Sequence, residues 1–265
     1  MSNDQLEFVA KRLPAPHAQT GRPAYTNLEL LPGILKVLRS GSRWRDLDRG
    51  DYPSGVTHWR RLRFWQKAGA FEDLWVCMLE LLLKDHKLVL ASASIDGTLI
   101  PSFAFQDTTS YSGKHHKTGT KVSLIVDQNG LPLSEQTACG STHDITLAEQ
   151  TVDAIPKEIV SQVKMMLGDK GYDAGSFRSF LSEQGIRSDI PRRELPIVYR
   201  QRLLMHNLTK RKNHKGNVKR FVVERTNAWT KSFRRLRFRF DYSMLSFSAF
   251  LNLAFVVICV RKLIS

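Results

Sequence analysis

Val218-Lys-Arg-Phe-Val-Val-Glu-Arg-Thr-Asn-Ala-Trp-Thr-Lys231 shows helical spacing on two opposed sides. At about 100° per residue, Asn217, Arg220, Glu224, Asn227 and Lys231 share one side, and Val218, Val222, Trp229, Phe233 and Leu236 the other. An apolar stripe of this kind packs down on a core, so the helix is expected to lie against another layer. Its polar side then presents one carboxylate among two cations and two amides. On patterning alone a solvated face leads. The competing reading is an acid that holds a metal ion against a phosphodiester, with cations gripping the phosphates on either side.

The rest of the chain favours the second reading. It has 265 residues, 42% of them hydrophobic, enough for one large domain or a large one plus a small one. Forty Lys and Arg against 25 Asp and Glu give a net charge of +15. That balance suits a polyanion, nucleic acid first and an anionic membrane second. The charge is concentrated: Arg192 to Phe240 holds sixteen Lys or Arg and only two acids, Glu194 and Glu224. Cys77, Cys139 and Cys259 are odd in number, far apart and without a C-x-x-C, as expected of buried free thiols in a reducing compartment. No basic stretch followed by an apolar run opens the sequence, so a cytoplasmic protein is expected. Phe247 to Val260 is apolar but short for a membrane span and interrupted by Ser248 and Asn252, which predicts a buried terminal helix.

Residues 1–23 read as an arm, irregular to about residue 20 and closed by Gly21-Arg-Pro23. A small all-α region is expected over 24–86. Asn27 to Leu38 has helical spacing, and Ser54 is placed to cap a second helix. That helix carries Val56, Trp59, Leu62 and Trp65 on an apolar side, with His58, Arg60, Arg61, Arg63 and Lys67 making the rest basic. A third helix spans Phe71 to Leu83. Short helix, turn and basic helix resemble a helix-turn-helix whose second helix enters a DNA groove, with Arg60, Arg61 and Arg63 as DNA contacts. A plain three-helix bundle with a basic surface fits equally well.

From Lys87 the period changes. Leu88 to Ile95 reads as a buried strand, and Lys121–Val126 and Leu131–Cys139 as a hairpin about Asn129-Gly130. Thr146 to Ile155 reads as a helix with Thr146 and Glu149 in capping-box spacing. Val163–Leu167 is a strand, Phe177–Gln184 a helix closed by Gly185, and Ile186–Ile190 a strand stopped by Pro191. A basic irregular insertion covers 192–216, and two long helices follow, near 218–237 and 243–264. The order predicts an α/β domain over 87–265, a mixed sheet with flanking helices.

Asp96 is expected at the end of the first strand and Asp169 at the end of a later one, with Glu224 arriving from a helix packed on the sheet. Three carboxylates meeting from distant positions suit a pair of hard Mg²⁺ ions. Each has a plainer reading. Asp96-Gly97 reads as a turn, Asp173 as a cap of the next helix, and Asp144 as a cap of the Thr146 helix, though Asp144 is the best substitute carboxylate. A calcium loop from Asp169 fails, because its twelfth position is Phe180. His115-His116 lies in a basic, glycine-flanked loop that either touches phosphate or is mobile.

These motifs together resemble the DDE transposases of bacterial insertion sequences, closest to the insertion-sequence-five group. The resemblance rests on Gly21-Arg-Pro23, Leu38-Arg-Ser-Gly-Ser-Arg-Trp-Arg-Asp-Leu47 and His58-Trp-Arg-Arg-Leu62 in the first part. Further on it rests on Ser94-Ile-Asp-Gly-Thr98, Lys121 to Leu133, Gly168-Asp-Lys-Gly-Tyr-Asp173, and Val223-Glu-Arg-Thr-Asn-Ala-Trp229 with Phe233-Arg-Arg-Leu236. Arg220, Glu224 and Lys231 match the R, E and K of the related Y-x2-R-x3-E-x6-K signature, while its Tyr position holds Asn217.

The resemblance implies a ribonuclease-H-like catalytic domain with Asp96, Asp169 and Glu224 as metal ligands, two Mg²⁺ ions with Mn²⁺ as substitute, and Arg220 and Lys231 on phosphate. It implies binding of terminal inverted repeats, cleavage at the ends, joining of 3′-hydroxyls to target DNA, and a homodimer in a nucleoid-associated synaptic complex. A ribonuclease-H-like nuclease or resolvase without strand transfer, or a domesticated DNA-binding protein, are the alternatives.

Overall fold

The computed structural model describes residues 1–15, 24–49, 52–104, 106–193 and 217–264, with the backbone alone for 49 and 217–220. Its centre is a six-stranded mixed sheet. Strand β1 (Ala93–Pro101) pairs antiparallel with β3 (Lys117–Val126), which pairs antiparallel with β4 (Pro132–Cys139) and, at its start, with the short β2 (Ser110–Ser112). On its other edge β1 runs parallel to β5 (Met165–Leu167), and β5 parallel to β6 (Arg187–Asp189). Three antiparallel strands continued by two parallel to the first is the ribonuclease-H-like order.

The first strand starts five residues later than its apolar run suggests. Asp127 explains this: its carboxylate accepts from Val89 N at 2.9 Å and from Asn129 N and Leu131 N at 2.9 and 2.8 Å. The backbone near residue 89 is thereby satisfied without a ladder partner. Asp96 therefore lies inside β1, opposite Leu124, rather than at its end or in a turn. The hairpin turn is as expected, with Gly130 at φ 88°.

On one face of the sheet lies α5 (Asp144–Asp153), following the 3₁₀ and helical turns of the N-terminal half and followed by α6 (Lys157–Val160) and α7 (Gly175–Glu183). Thr151 ties α5 to the sheet by donating to Ser123 Oγ at 2.9 Å and accepting, through its carbonyl, from Ser134 Oγ at 2.6 Å. The predicted Thr146–Glu149 box is not formed. The helix starts at Asp144, and Thr146 Oγ1 donates to the His143 carbonyl at 2.7 Å. Asp173 does not cap α7 either; it binds the Arg178 guanidinium at 2.8 Å and Arg193 N at 2.6 Å.

The opposite face carries α8 (Asn217–Ser232), the short α9 (Arg234–Arg237) and α10 (Met244–Leu263). One continuous helix through 237 is not found, because the chain breaks at Phe233, which is extended and buried. The side of α8 that packs is also not the predicted one. Val223, Thr226, Asn227 and Thr230 are buried, whereas Trp229 is 43% exposed, with the Arg225 guanidinium 4.9 Å over its ring. Thr226 Oγ1 donates to the Gly130 carbonyl at 2.8 Å, so small polar side chains let the helix come close to the hairpin turn.

The opening residues are not irregular. They form α1 (Asn3–Arg12), with a Ser2–Gln5 capping box and with Val9 and Ala10 in the core. Three more helices follow: α2 (Asn27–Ser40), α3 (Gly55–Lys67, capped by Ser54) and α4 (Ala70–Lys84), with a 3₁₀ turn at Trp44–Arg49. Helix α10 is long and apolar enough to cross a membrane, but it is buried within the protein. It stacks Phe250 on Trp44 and Phe255 on Trp75, so one core runs from the N-terminal helices to the sheet. Of the cysteines only Cys259 is fully buried; Cys77 and Cys139 are partly exposed, and all three are free thiols.

Candidate active site: a carboxylate cluster on the central strands

The parallel register of β1 and β5 sets Ser94 beside Leu167. Asp96 and Asp169 each lie two residues further on, so the two acids come from neighbouring central strands. Beyond Leu167 the chain turns, and Asp169 Oδ1 accepts from Gly171 N at 2.7 Å. Asp96 Oδ2 accepts from Asn227 Nδ2 at 3.0 Å, and one turn along α8 Lys231 Nζ donates to Thr98 Oγ1 at 2.5 Å. Glu224, one turn the other way, is exposed.

A fourth acid enters from the other face. Asp144 lies against Gly97: a Cβ there would stand 2.2 Å from Asp144 Oδ1. Glycine is required for this approach. Asp144 Oδ1 pairs with Lys121 Nζ at 2.8 Å, and Oδ2 with Lys114 Nζ at 3.3 Å. Lys121 is a strand lysine only 3% exposed.

The electrostatics mark these groups as neighbours. Burial, then the charges of Asp169, Asp144 and Glu224, push Asp96 up to about 6. Burial works to raise Asp144 as well, but Lys121 and Lys114 hold it below the usual carboxylate range. Burial depresses Lys231, opposed by Asp96. The phenol of Tyr172 is driven well above its normal value by burial and by Asp144, Asp96 and Asp169. His115, in the turn between β2 and β3, is pushed below the ordinary imidazole value by burial and by Lys121 and Lys114. That turn is thus part of the site's rim.

Mutually repelling carboxylates with all-oxygen donors suit a hard divalent cation, which relieves the repulsion that raises Asp96. Among the described residues no three acids or histidines stand close enough to ligate one ion together. The donor chemistry fits a metal, in an arrangement more open than a closed ligand shell.

Of the basic residues singled out in the sequence, Lys231 is at this site, and the side chain of Arg220 lies outside the described residues. Arg60 and Arg63 are on the outer side of α3, Arg60 exposed and Arg63 5.1 Å over the Trp59 ring. Arg61 is not. It is 7% exposed, and its guanidinium donates to Asn27 Oδ1 at 2.6 Å and the Tyr25 carbonyl at 2.8 Å. Helix α3 is turned from its expected orientation. His58 packs on Gly33 and Gly55 on the Trp44 carbonyl, which leaves Val56 54% and Trp59 37% exposed. The sequence reading gave no role to Lys121 or Asn227. The signal for Lys121 was a lysine opening a run of buried strand residues.

A family model described as "Transposase DDE domain" matches residues 93–259, and a second, "Putative transposase of IS4/5 family", matches residues 1–75. A Burkholderia cepacia protein described as "Putative transposase for insertion sequence element IS402" is 31% identical over 147 residues, 53% of this chain and 63% of the relative. An insertion element IS402 uncharacterized 16.2 kDa protein from the same organism is 42% identical over 81 residues, 30% of this chain and 55% of the relative. The chain thus spans under two thirds of the length of either. Among solved structures, the crystal structure of the Mos1 mariner paired end complex with Mn is 14% identical, covering 84% of this chain and 79% of that one, at a TM-score of 0.28. The first family match takes in more than half of the sequence, Asp96, Asp169 and Glu224 included, and the chain therefore belongs to the DDE transposase family.

Proposed function

We propose that this protein binds the terminal inverted repeats of an insertion sequence, hydrolyses the DNA at the ends and joins the freed 3′-hydroxyls to target DNA. The observation that carries this reading is the acid cluster about Asp96, with Asn227 on its carboxylate and Lys231 one turn away on the same helix. Asp96 and Asp169 with Glu224 are the residues that would hold two Mg²⁺ ions, or Mn²⁺ in their place. Bound there, such ions would activate a water or 3′-hydroxyl and neutralise the leaving oxygen. Asn227 fixes the orientation of the Asp96 carboxylate. Lys231 and Arg220 hold phosphates beside the cut. Asp144, neutralised by two lysines, adds less negative charge to the site than its position suggests.

In this reading residues 24–86 recognise the ends through Arg60 and Arg63 on the outer side of α3, and residues 87–265 do the chemistry. A protein with net charge +15 gains most of its DNA affinity from phosphate neutralisation, so binding falls steeply with salt. Two ends must be held together, which calls for a homodimer. Action on bacterial DNA places it in the cytoplasm, at the nucleoid. The deciding experiment is strand transfer with pre-cut ends: joined product supports a transposase, and cleavage without joining supports a ribonuclease-H-like nuclease or resolvase.

A further inference from the structure

Away from the acid cluster, a cavity of about 600 Å³ opens where α1, α2, α9 and α10 meet. Lys36 and Arg39 reach it from α2, Arg234 from α9 and Arg261 from α10. Among the described residues no acid lines it, and none of these four cations is in an ion pair. The walls between them are apolar and include the rings of Tyr52 and Phe233, with Lys36 Nζ 4.9 Å over Tyr52.

These four cations are exposed at the rim of one concavity, where a single anion can be approached by several of them at once. A bare phosphate would leave the apolar walls wet. A duplex cannot enter a cavity of this size, whose volume is that of a small-molecule site. The complementary shape is one nucleotide, its phosphates among the cations and its base against the partly exposed Tyr52 ring. We propose that this cavity binds a single nucleotide unit, either free or as the unpaired end of a DNA strand.

The position has a consequence for the second source. Arg234 follows Lys231 by three residues, so the helix that borders the acid cluster leads directly to the cavity. Gly41, at φ +69°, packs its α carbon on Arg234, where an added Cβ would meet the Arg234 Cβ at 3.3 Å. This contact sets the start of α9 against the end of α2. The proposal does not rest on the DNA-cutting reading, since a nucleotide pocket could serve either source.

The test uses the full chain and its Arg39→Ala/Arg261→Ala and Arg39→Lys/Arg261→Lys variants, with circular dichroism to confirm the fold. Binding is measured with a fluorescent ATP analogue, a single-stranded-tailed duplex and a blunt duplex. The alanine pair should weaken one of the first two probes by about tenfold or more, and the lysine pair should restore most of it. Loss confined to the ATP analogue assigns a free nucleotide. Loss confined to the tailed duplex assigns the end of a strand. Equal loss for tailed and blunt duplex overturns the proposal in favour of a general phosphate patch, and so does unchanged binding of every probe. These readouts need no cleavage, so a failure of the DNA-cutting reading would show separately.

Discussion

Asp96, Leu124 and Glu135 stand opposite one another across β1, β3 and β4, so two acids share one face of the sheet with a leucine between them. Their surroundings differ. Asp96 is met by an amide and lies among three further acids, with Lys121 and Lys114 holding one of them and Lys231 close by. Glu135 faces Glu72 beneath α4 and α10. There Gln66 Nε2 and Asn252 Nδ2 both donate to Glu72 Oε1, at 2.8 and 2.7 Å. Glu135 Oε2, Glu72 Oε2, Asn252 Oδ1 and Gln66 Oε1 are buried acceptors without partners. Burial and Glu72 push Glu135 up to about 8, against about 6 for Asp96. Glu135 is thus the more strongly driven of the two to hold a proton. Acid density alone does not single out a candidate site; the cations around it do.

The largest test of this contrast removes charge from each group in turn. Asp96→Asn, Asp169→Asn or Glu224→Gln should each lower end cleavage on the order of a thousandfold, the several kcal/mol that metal-assisted charge stabilisation is worth. DNA binding should stay near normal. Glu135→Gln should leave cleavage unchanged. Chelation should stop the wild-type reaction, and Mg²⁺ or Mn²⁺ should restore it. Near-normal cleavage by Glu224→Gln would refute the assigned triad and promote Asp144.

A second test strips a cation from the first group to make it resemble the second. Lys121→Met leaves Asp144 with Lys114 alone, on a side chain 64% exposed. Removing one partner of a buried pair costs up to about 3–5 kcal/mol, and the remaining lysine should hold the loss to the lower end. Chemical denaturation measures it. No loss would show that Asp144 is hydrated and that Lys121 is incidental.

Much of the first group could be read in the sequence, and almost none of the second. Asp96 and Asp169 each follow a short apolar run, and parallel central strands put such positions side by side. The hairpin at Asn129-Gly130 was equally plain, because few residues tolerate that turn. Asp144 was misread because its place depends on Gly97, a contact between faces that no local pattern encodes. Helices α3 and α8 were both turned from their apolar stripes for one reason. Their partners bury polar side chains, His58 and Arg61 in one case and Thr226, Asn227 and Thr230 in the other, and a stripe drawn from apolar residues cannot see that. Glu72 and Glu135 are distant in sequence and meet because α4 packs on the sheet, where Trp75 Nε1 donates to the Pro132 carbonyl at 3.1 Å.

A third test uses pH. Protons compete with a cation for Asp96, whose folded value of about 6 exceeds the ordinary 3.8. Mn²⁺ binding at limiting metal should therefore weaken as pH falls through about 6. Asp144→Asn removes one of the charges that raise Asp96, so its acid limb should move to lower pH. Titration of Mn²⁺ affinity against pH checks this. An unmoved limb would mean that Asp144 does not act on Asp96.

The smallest effect belongs to Glu135 and concerns stability alone. Its folded value of about 8 lies above the ordinary 4.5, so the folded protein binds the proton more tightly than the unfolded chain. The stabilisation from that proton is complete below about 4.5 and is lost as pH rises through about 8. Glu135→Gln keeps the shape, cannot ionise, and offers an amide donor to the unpartnered Glu72 oxygen. The difference in melting temperature between variant and wild type should thus grow in the variant's favour as pH rises across that window. Subtracting the two curves cancels the contribution of Asp96, which titrates in both proteins. A constant difference would mean that Glu135 is ionised and hydrated in the folded protein. The two acid groups would then differ only in the number of their carboxylates.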